Sequence, residues 1–136
     1  NPWIFHHTHQ LLSTGELLPE PAFEERVRVL CRHLDLMVEV FGEELGCRMF
    51  RKVAPWYAKR FGPASEFNKR VVTISTRADF YGALDHYVKW REQFLDANGA
   101  LRPNYQPPPL VASFMQEPAA AARAAIPVPK GPVDLW

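Results

Sequence analysis

The chain has 136 residues, of which 47% are hydrophobic, 12% aromatic and 23% charged, and its formal net charge is +1. This length suits one domain whose core needs no staples, and no apolar run approaches the roughly 20 residues that cross a bilayer. Cys31 and Cys47 are too few for a disulfide framework and fit a reducing compartment, while the near-zero charge means that any hold on a polyanion must come from uneven placement of Lys and Arg.

Residues 1–5, NPWIF, are more apolar than a chain end normally is, and they carry none of the features of a secretory signal. The pattern then predicts a short helix over 6–14 that stops at Gly15, a suitable left-handed C-cap. After the turn "GELLPEP", in which Pro21 suits a helix start, a second helix is predicted over 22–41. Phe23, Val27, Leu30, Leu34, Val38 and Phe41 recur at spacings of four and three, the stripe of a core-facing helix. Glu24 and Glu25 lie in its first turn, where the helix dipole favours negative charge, and Gly42 ends it.

A third helix is predicted over 43–61, with Gly62-Pro63 as its stop and a kink at Pro55. A shorter helix covers 64–74. The last begins with Ser75 or Thr76 as N-cap and runs to Ala97, ended by Asn98-Gly99, with Phe80, Leu84, Tyr87 and Phe94 on its inner face. Eight of the 13 prolines lie at or beyond Pro103. The expected fold is therefore all-α: a bundle of four to five helices over 6–98, followed by a proline-rich extended tail over 99–136. Leu110, Phe114, Ile126 and Trp136 would let that tail pack along the bundle, or a separate protein would bind it.

Chemistry concentrates in the third helix, "EELGCRMFRKVAPWYAKRF". At about 100° per residue, Arg48, Lys52 and Lys59 fall within about 40° of one another and Arg51 about 60° to one side. Met49, Val53, Trp56 and Tyr57 take the other side, so the helix is expected to bury an aromatic-rich face and present a basic stripe. Arg60, Lys69 and Arg70 add positive charge, and no acidic residue occurs over 46–65. Cations one turn apart can meet successive phosphates of a nucleic acid, although a solvated helix face carries Lys and Arg as well.

Other signals are weaker. His6, His7 and His9 lack the further ligands that a metal site would want, so an exposed polar segment is expected there. Cys31 and His33 point different ways on a helix, and Asp35 with Glu39 reads as a solvated acidic pair. No Gly-rich phosphate loop and no G-x-S-x-G occurs. The chain alone is thus expected to be inactive, with no catalytic, cofactor-binding or metal residues.

"NPWIF" together with "GCRMFRKVAPWY" resembles the bacterial tRNA-dihydrouridine synthases, close to the NifR3-like branch. In that family a flavin-binding (β/α)₈ barrel closes on Gly-Asn-Pro-Trp-Ile-Phe and a C-terminal helical domain follows. The hallmark of that domain is matched here by Gly46, Arg48, Arg51, Lys52, Trp56 and Tyr57. The similarity spans residues 1–94, and "STGELLP" and "FGEELGCR" resemble the loops between the family's helices. Val53 stands where the family usually has His, and Pro55 is unusual within the motif.

The resemblance implies that residues 1–5 are the remnant of the barrel-to-helical-domain junction and that 6–98 form a tRNA-binding domain. Arg48, Arg51 and Lys52 are RNA-binding candidates through the motif, and Lys59, Arg60, Lys69 and Arg70 through charge placement. FMN and NADPH are implied for the parent enzyme, whose location would be cytoplasmic and whose partners would be tRNA and the missing barrel, with no membrane. The alternative is a stand-alone helical protein-interaction module derived from that domain.

Overall fold

The computed structural model describes residues 1–108; the expected packing of Leu110, Phe114, Ile126 and Trp136 lies outside the described residues. Five helices follow in order: α1 (Ile4–Thr14), α2 (Phe23–Phe41), α3 (Glu43–Ala58), α4 (Ser65–Val71) and α5 (Arg77–Arg91). Single 3₁₀ turns cover Glu92–Phe94 and Pro103–Tyr105. None of these helices is long and apolar enough to cross a membrane.

Local chemistry explains the helix ends. Gly15 (φ 76°) caps α1 in the left-handed region, its amide donating to Leu11 O. Gly42 (φ 79°) ends α2 and at once caps α3. The start of α5 is a capping box: Asp79 N donates to Thr76 Oγ1 at 3.1 Å, and Asp79 Oδ2 accepts from Thr76 N at 2.9 Å and from Ser75 N at 2.8 Å. Those backbone bonds hold the Asp79 carboxyl below its ordinary pKa.

α2 and α3 form a close hairpin. A Cβ on Gly46 would stand 2.9 Å from Met37 O and 3.0 Å from Val38 Cα, so the two backbones approach where only glycine fits. The core lies between α2, α3, α4 and α5. Leu30 and Leu34 meet Cys47, Phe50, Ala54 and Ala58, and Phe61, Phe67, Val71, Ile74, Phe80 and Tyr87 complete it. Its aromatics meet edge to face, as in Phe50–Phe80 with ring centroids 5.7 Å apart, while Phe61 and Tyr87 stack at 5.9 Å. Tyr87 is fully buried and its hydroxyl donates to Pro63 O at 2.9 Å; burial pushes its pKa up to about 12.

Several expected boundaries move. α3 passes through Pro55 unbroken but ends at Ala58, because the amides of Arg60 and Phe61 donate to carbonyls three residues back, tightening the chain before Gly62 (φ 86°). α4 stops at Val71, where Thr73 Oγ1 donates to Arg70 O at 2.8 Å. α5 ends at Arg91, six residues before Ala97. Asp96 Oδ1 accepts from Asn98 N at 2.8 Å and Ala100 N at 3.0 Å, building a turn through Gly99 (φ 79°) that pairs Leu95 with Leu101 in an isolated antiparallel bridge. Phe41, expected on the core stripe, is exposed at the end of α2. Phe94 is half-buried, between Trp90 (4.7 Å) and Tyr105 (4.7 Å), rather than on α5.

α1 differs from the other helices. None of its residues is buried, and Phe5 and Leu12 are 82% and 81% exposed. Trp3, His7 and Gln10 are its half-buried side, whereas Ile4, Phe5, Leu11 and Leu12 share the solvent side. His6 and His9 are exposed on the same helix.

Candidate nucleic-acid interface

A groove of about 730 Å³ opens between residues 1–3, α2 and α3. Trp3 comes from the N-terminal segment, Arg26 and His33 from α2, and Lys52, Trp56 and Tyr57 from α3. Trp3 meets Tyr57 edge on at 6.4 Å, and the Arg26 guanidinium lies 5.1 Å from the Trp3 ring centroid. Arg26 is buried, and its Nη2 pairs with Glu20 at 2.8 Å while Nε donates to Pro21 O at 2.9 Å. Burial lowers the Arg26 pKa against the opposing pull of Glu20. Glu20 also receives Arg60 Nη2 at 2.6 Å, so one carboxylate ties the loop before α2 to both walls of the groove.

His33 and Tyr57 meet at the groove through a hydrogen bond of 3.1 Å between Nδ1 and the phenol oxygen. Burial lowers the His33 pKa and raises that of Tyr57, so both favour their neutral forms. An imidazole from α2 therefore lines this groove although Val53, on the α3 wall, is not a histidine.

The candidate cations divide by their surroundings. Arg48 and Lys52 are exposed along one face of α3, and Lys59 is exposed at its C-cap. Arg48 sits 3.5 Å from Glu44, a loose exposed pair, and Lys52 has no ion pair among the described residues. Lys59 Nζ lies 5.7 Å from the Trp56 ring centroid. Lys69 and Arg70 are exposed on α4, where Lys69 pairs with Glu66 at 2.8 Å.

Arg51 and Arg60 point into the fold's own structure. Arg51 Nε donates to Ile74 O at 2.7 Å, and its Nη2 reaches Ser75 Oγ at 3.1 Å and Thr73 O at 3.3 Å, pinning the turn between α4 and α5. Arg60 is held by Glu20 and donates to Pro108 O.

Trp56 corrects the expected burial pattern. It is 73% exposed, and Met49 is exposed too, whereas Cys47, Phe50, Ala54 and Ala58 form the inner face of α3. At 100° per residue Trp56 lies about 40° from Lys52, so the indole belongs to the basic face. Sequence reasoning also passed over Trp3, Arg26 and His33 as groove residues. For Trp56 the signal was present in its spacings from Lys52 and Lys59; for the other three, long-range packing decides.

The dihydrouridine synthase family description, "Dihydrouridine synthase (Dus)", matches residues 1–95. The chain is 34% identical over 88 residues to a protein of Salmonella typhimurium called tRNA-dihydrouridine synthase B, covering 65% of this chain and 27% of that protein. The protein of the same name from Escherichia coli K12 gives the same figures. The one from Vibrio vulnificus is 36% identical over 86 residues, 63% of this chain and 27% of that protein. The chain thus spans about a quarter of the length of the curated relatives it matches.

Proposed function

The chain belongs to the dihydrouridine synthase family, and from that premise we propose that it is the tRNA-binding helical domain of an enzyme that reduces uridine to 5,6-dihydrouridine in tRNA. The observation that carries the reading is the basic face of α3 and its C-cap, where Lys52 and Lys59 line a groove with no acidic residue among its described lining residues and Arg48 stands exposed one turn before Lys52. Lys69 and Arg70 extend the positive surface from α4, and Arg51 and Arg60 serve by holding the surrounding backbone. Cations on a rigid helix position a folded RNA through its phosphates, and the overall shape of the RNA does the selecting.

Flavin and nicotinamide would sit elsewhere in such an enzyme. A flavin phosphate is held by backbone amides at a helix start or Gly-rich loop. Here α2, α3, α4 and α5 all carry Asp or Glu in the first turn, which repels phosphate at those four helix starts. The outward apolar side of α1 suits docking to the barrel that would carry both groups. That same side favours the second reading, a stand-alone interaction module that binds protein and not RNA.

The test is tRNA binding across a salt series. With about four phosphates neutralised, log K falls with log salt at a slope of about −3 to −4, and replacing both Lys52 and Lys59 by Ala flattens it by about 1.5 to 2. An unchanged slope in that double variant removes the stripe from the account. Failure of the parent chain to bind tRNA at any salt, with tight binding to an isolated flavin barrel, moves the second reading to the front.

A further inference from the structure

Trp56 is a large aromatic that the fold leaves 73% uncovered in the middle of a cationic face. Lys52 lies one turn before it on α3 and Lys59 about one turn after it at the helix C-cap, both lining the same groove and about 10 Å apart along the helix axis. Neither lysine has an ion pair among the described residues, and Lys59 rests against the indole instead. Across the groove Arg26 and Arg60 share the single Glu20 carboxylate, which offsets one of their two charges, whereas both charges beside Trp56 lack an ion-pair partner among the described residues.

Resting on the tRNA reading above, we propose that Trp56 is the stacking platform for a single unpaired base of the bound RNA, with Lys52 and Lys59 taking the phosphates on either side of it. The chemistry of the site selects this occupant. An apolar protein segment laid over the indole would draw two ammonium groups out of water with nothing to pair them. A nucleotide covers the indole with a π-face and brings negative charge on both sides. A base inside a duplex has both faces occupied by its neighbours, so the platform takes only a base that is unstacked. Lys59 gives up a cation–π contact that is weak at an exposed position and gains a phosphate in its place. Lys52 and Lys59 alone would grip any RNA backbone; with Trp56 between them, the face distinguishes a loop or bulge from a regular helix.

The experiment uses the full chain, its Trp56→Ala and Trp56→Phe variants, and three labelled probes: a tRNA transcript, a short single-stranded RNA and the duplex of the same length. Trp56→Ala weakens the single strand and the tRNA by about 5- to 150-fold, the range for losing one base–aromatic stack. Trp56→Phe restores most of that, duplex affinity does not move, and the salt slope is unchanged because no cation is lost. Circular dichroism of each variant checks that an exposed replacement has left the fold intact. Equal tRNA affinity for parent and Trp56→Ala, with the parent's salt slope retained, overturns the stacking role and leaves the lysine grip standing. The same result together with lost affinity of Trp56→Ala for a flavin barrel also overturns it and reassigns the indole to a protein contact. Single-strand binding that needs Trp56, in a chain that ignores tRNA, upholds the platform and overturns the tRNA reading. A parent that binds none of the three probes overturns both.

Discussion

Replacing Arg51 by Ala separates the fold-building role of a cation from a ligand-binding one. Its Nε donates to Ile74 O at 2.7 Å, in a residue only 1% exposed, so the variant leaves a buried carbonyl without a donor. The bonds to Ser75 Oγ at 3.1 Å and Thr73 O at 3.3 Å are closer to solvent and contribute less. A charged hydrogen bond contributes about 1.5 to 3 kcal/mol and an orphaned buried acceptor costs about 1 to 3, overlapping terms that put the loss at about 2 to 3 kcal/mol. For a domain of this size each kcal/mol moves Tm by about 4 to 8 °C, so thermal unfolding should shift down by about 8 to 24 °C. Arg51→Lys should recover about half, since one ammonium can reach one carbonyl but cannot fork across the turn. Scanning calorimetry reads these shifts, and a salt series with tRNA at a temperature where both forms are folded reads the rest. A Tm within 2 °C of the parent, with a salt slope shallower by about 0.9, would refute the reasoning and make Arg51 a phosphate contact.

Two further outcomes follow from packing and protonation. Gly46→Ala puts a methyl 2.9 Å from the Met37 carbonyl oxygen, and because the obstacle is α2 backbone the helices must part. With backbone as the obstacle, overpacking falls in the upper part of its range, about 2 to 3 kcal/mol, and outweighs the roughly 1 kcal/mol that Ala gains in helix propensity, so denaturant melts should show a net loss of about 1 to 2 kcal/mol; an equal or higher midpoint sinks the close-approach argument. His33 is half-buried against Tyr57 with its pKa lowered, so as pH falls below about 6.5 the unfolded chain takes up the proton first. Its contribution is present above that pH and lost as pH falls towards the folded value. The Tm advantage of the parent over His33→Gln should therefore shrink between about pH 7.5 and 5, and parallel curves would remove His33 from the account.

Much of the helical order is legible because its determinants are local. Gly15 and Gly42 mark helix ends through their positive φ, and the Thr76–Asp79 pair announces α5 within four residues. The α2 spacing correctly places Leu30 and Leu34 in the core, but not Phe41, where the stripe runs past the last helix that could cover it. Asn98-Gly99 was read as a helix end, whereas an Asn-Gly pair between hydrophobic residues also signals a tight antiparallel turn, and here Asp96 selects the turn. The candidate face is harder. The charge on α3 is visible in the sequence, yet the acceptors that engage Arg51 lie 22 to 24 residues further on, beyond any local pattern. Trp56 misled for a different reason: a tryptophan is presumed buried, and its angular position beside Lys52 had to outweigh that presumption.

The segment after α5 settles where attachments to this fold can go. Leu101 and Tyr105 fold back against Gly62, and Arg60, which lines the groove, donates to the carbonyl of Pro108. Asn1 and Pro2 line the same groove, so segments from both flanks of the five helices reach it. A fluorophore or a surface linker attached through either segment would be tethered at high local concentration over the groove and would compete there with any ligand. The turn at Asn98 and the exposed loop at Glu16 are better anchorage, because both are solvent-facing and neither lines the groove. An immobilised preparation oriented through one of them keeps the α3 face open to the solution.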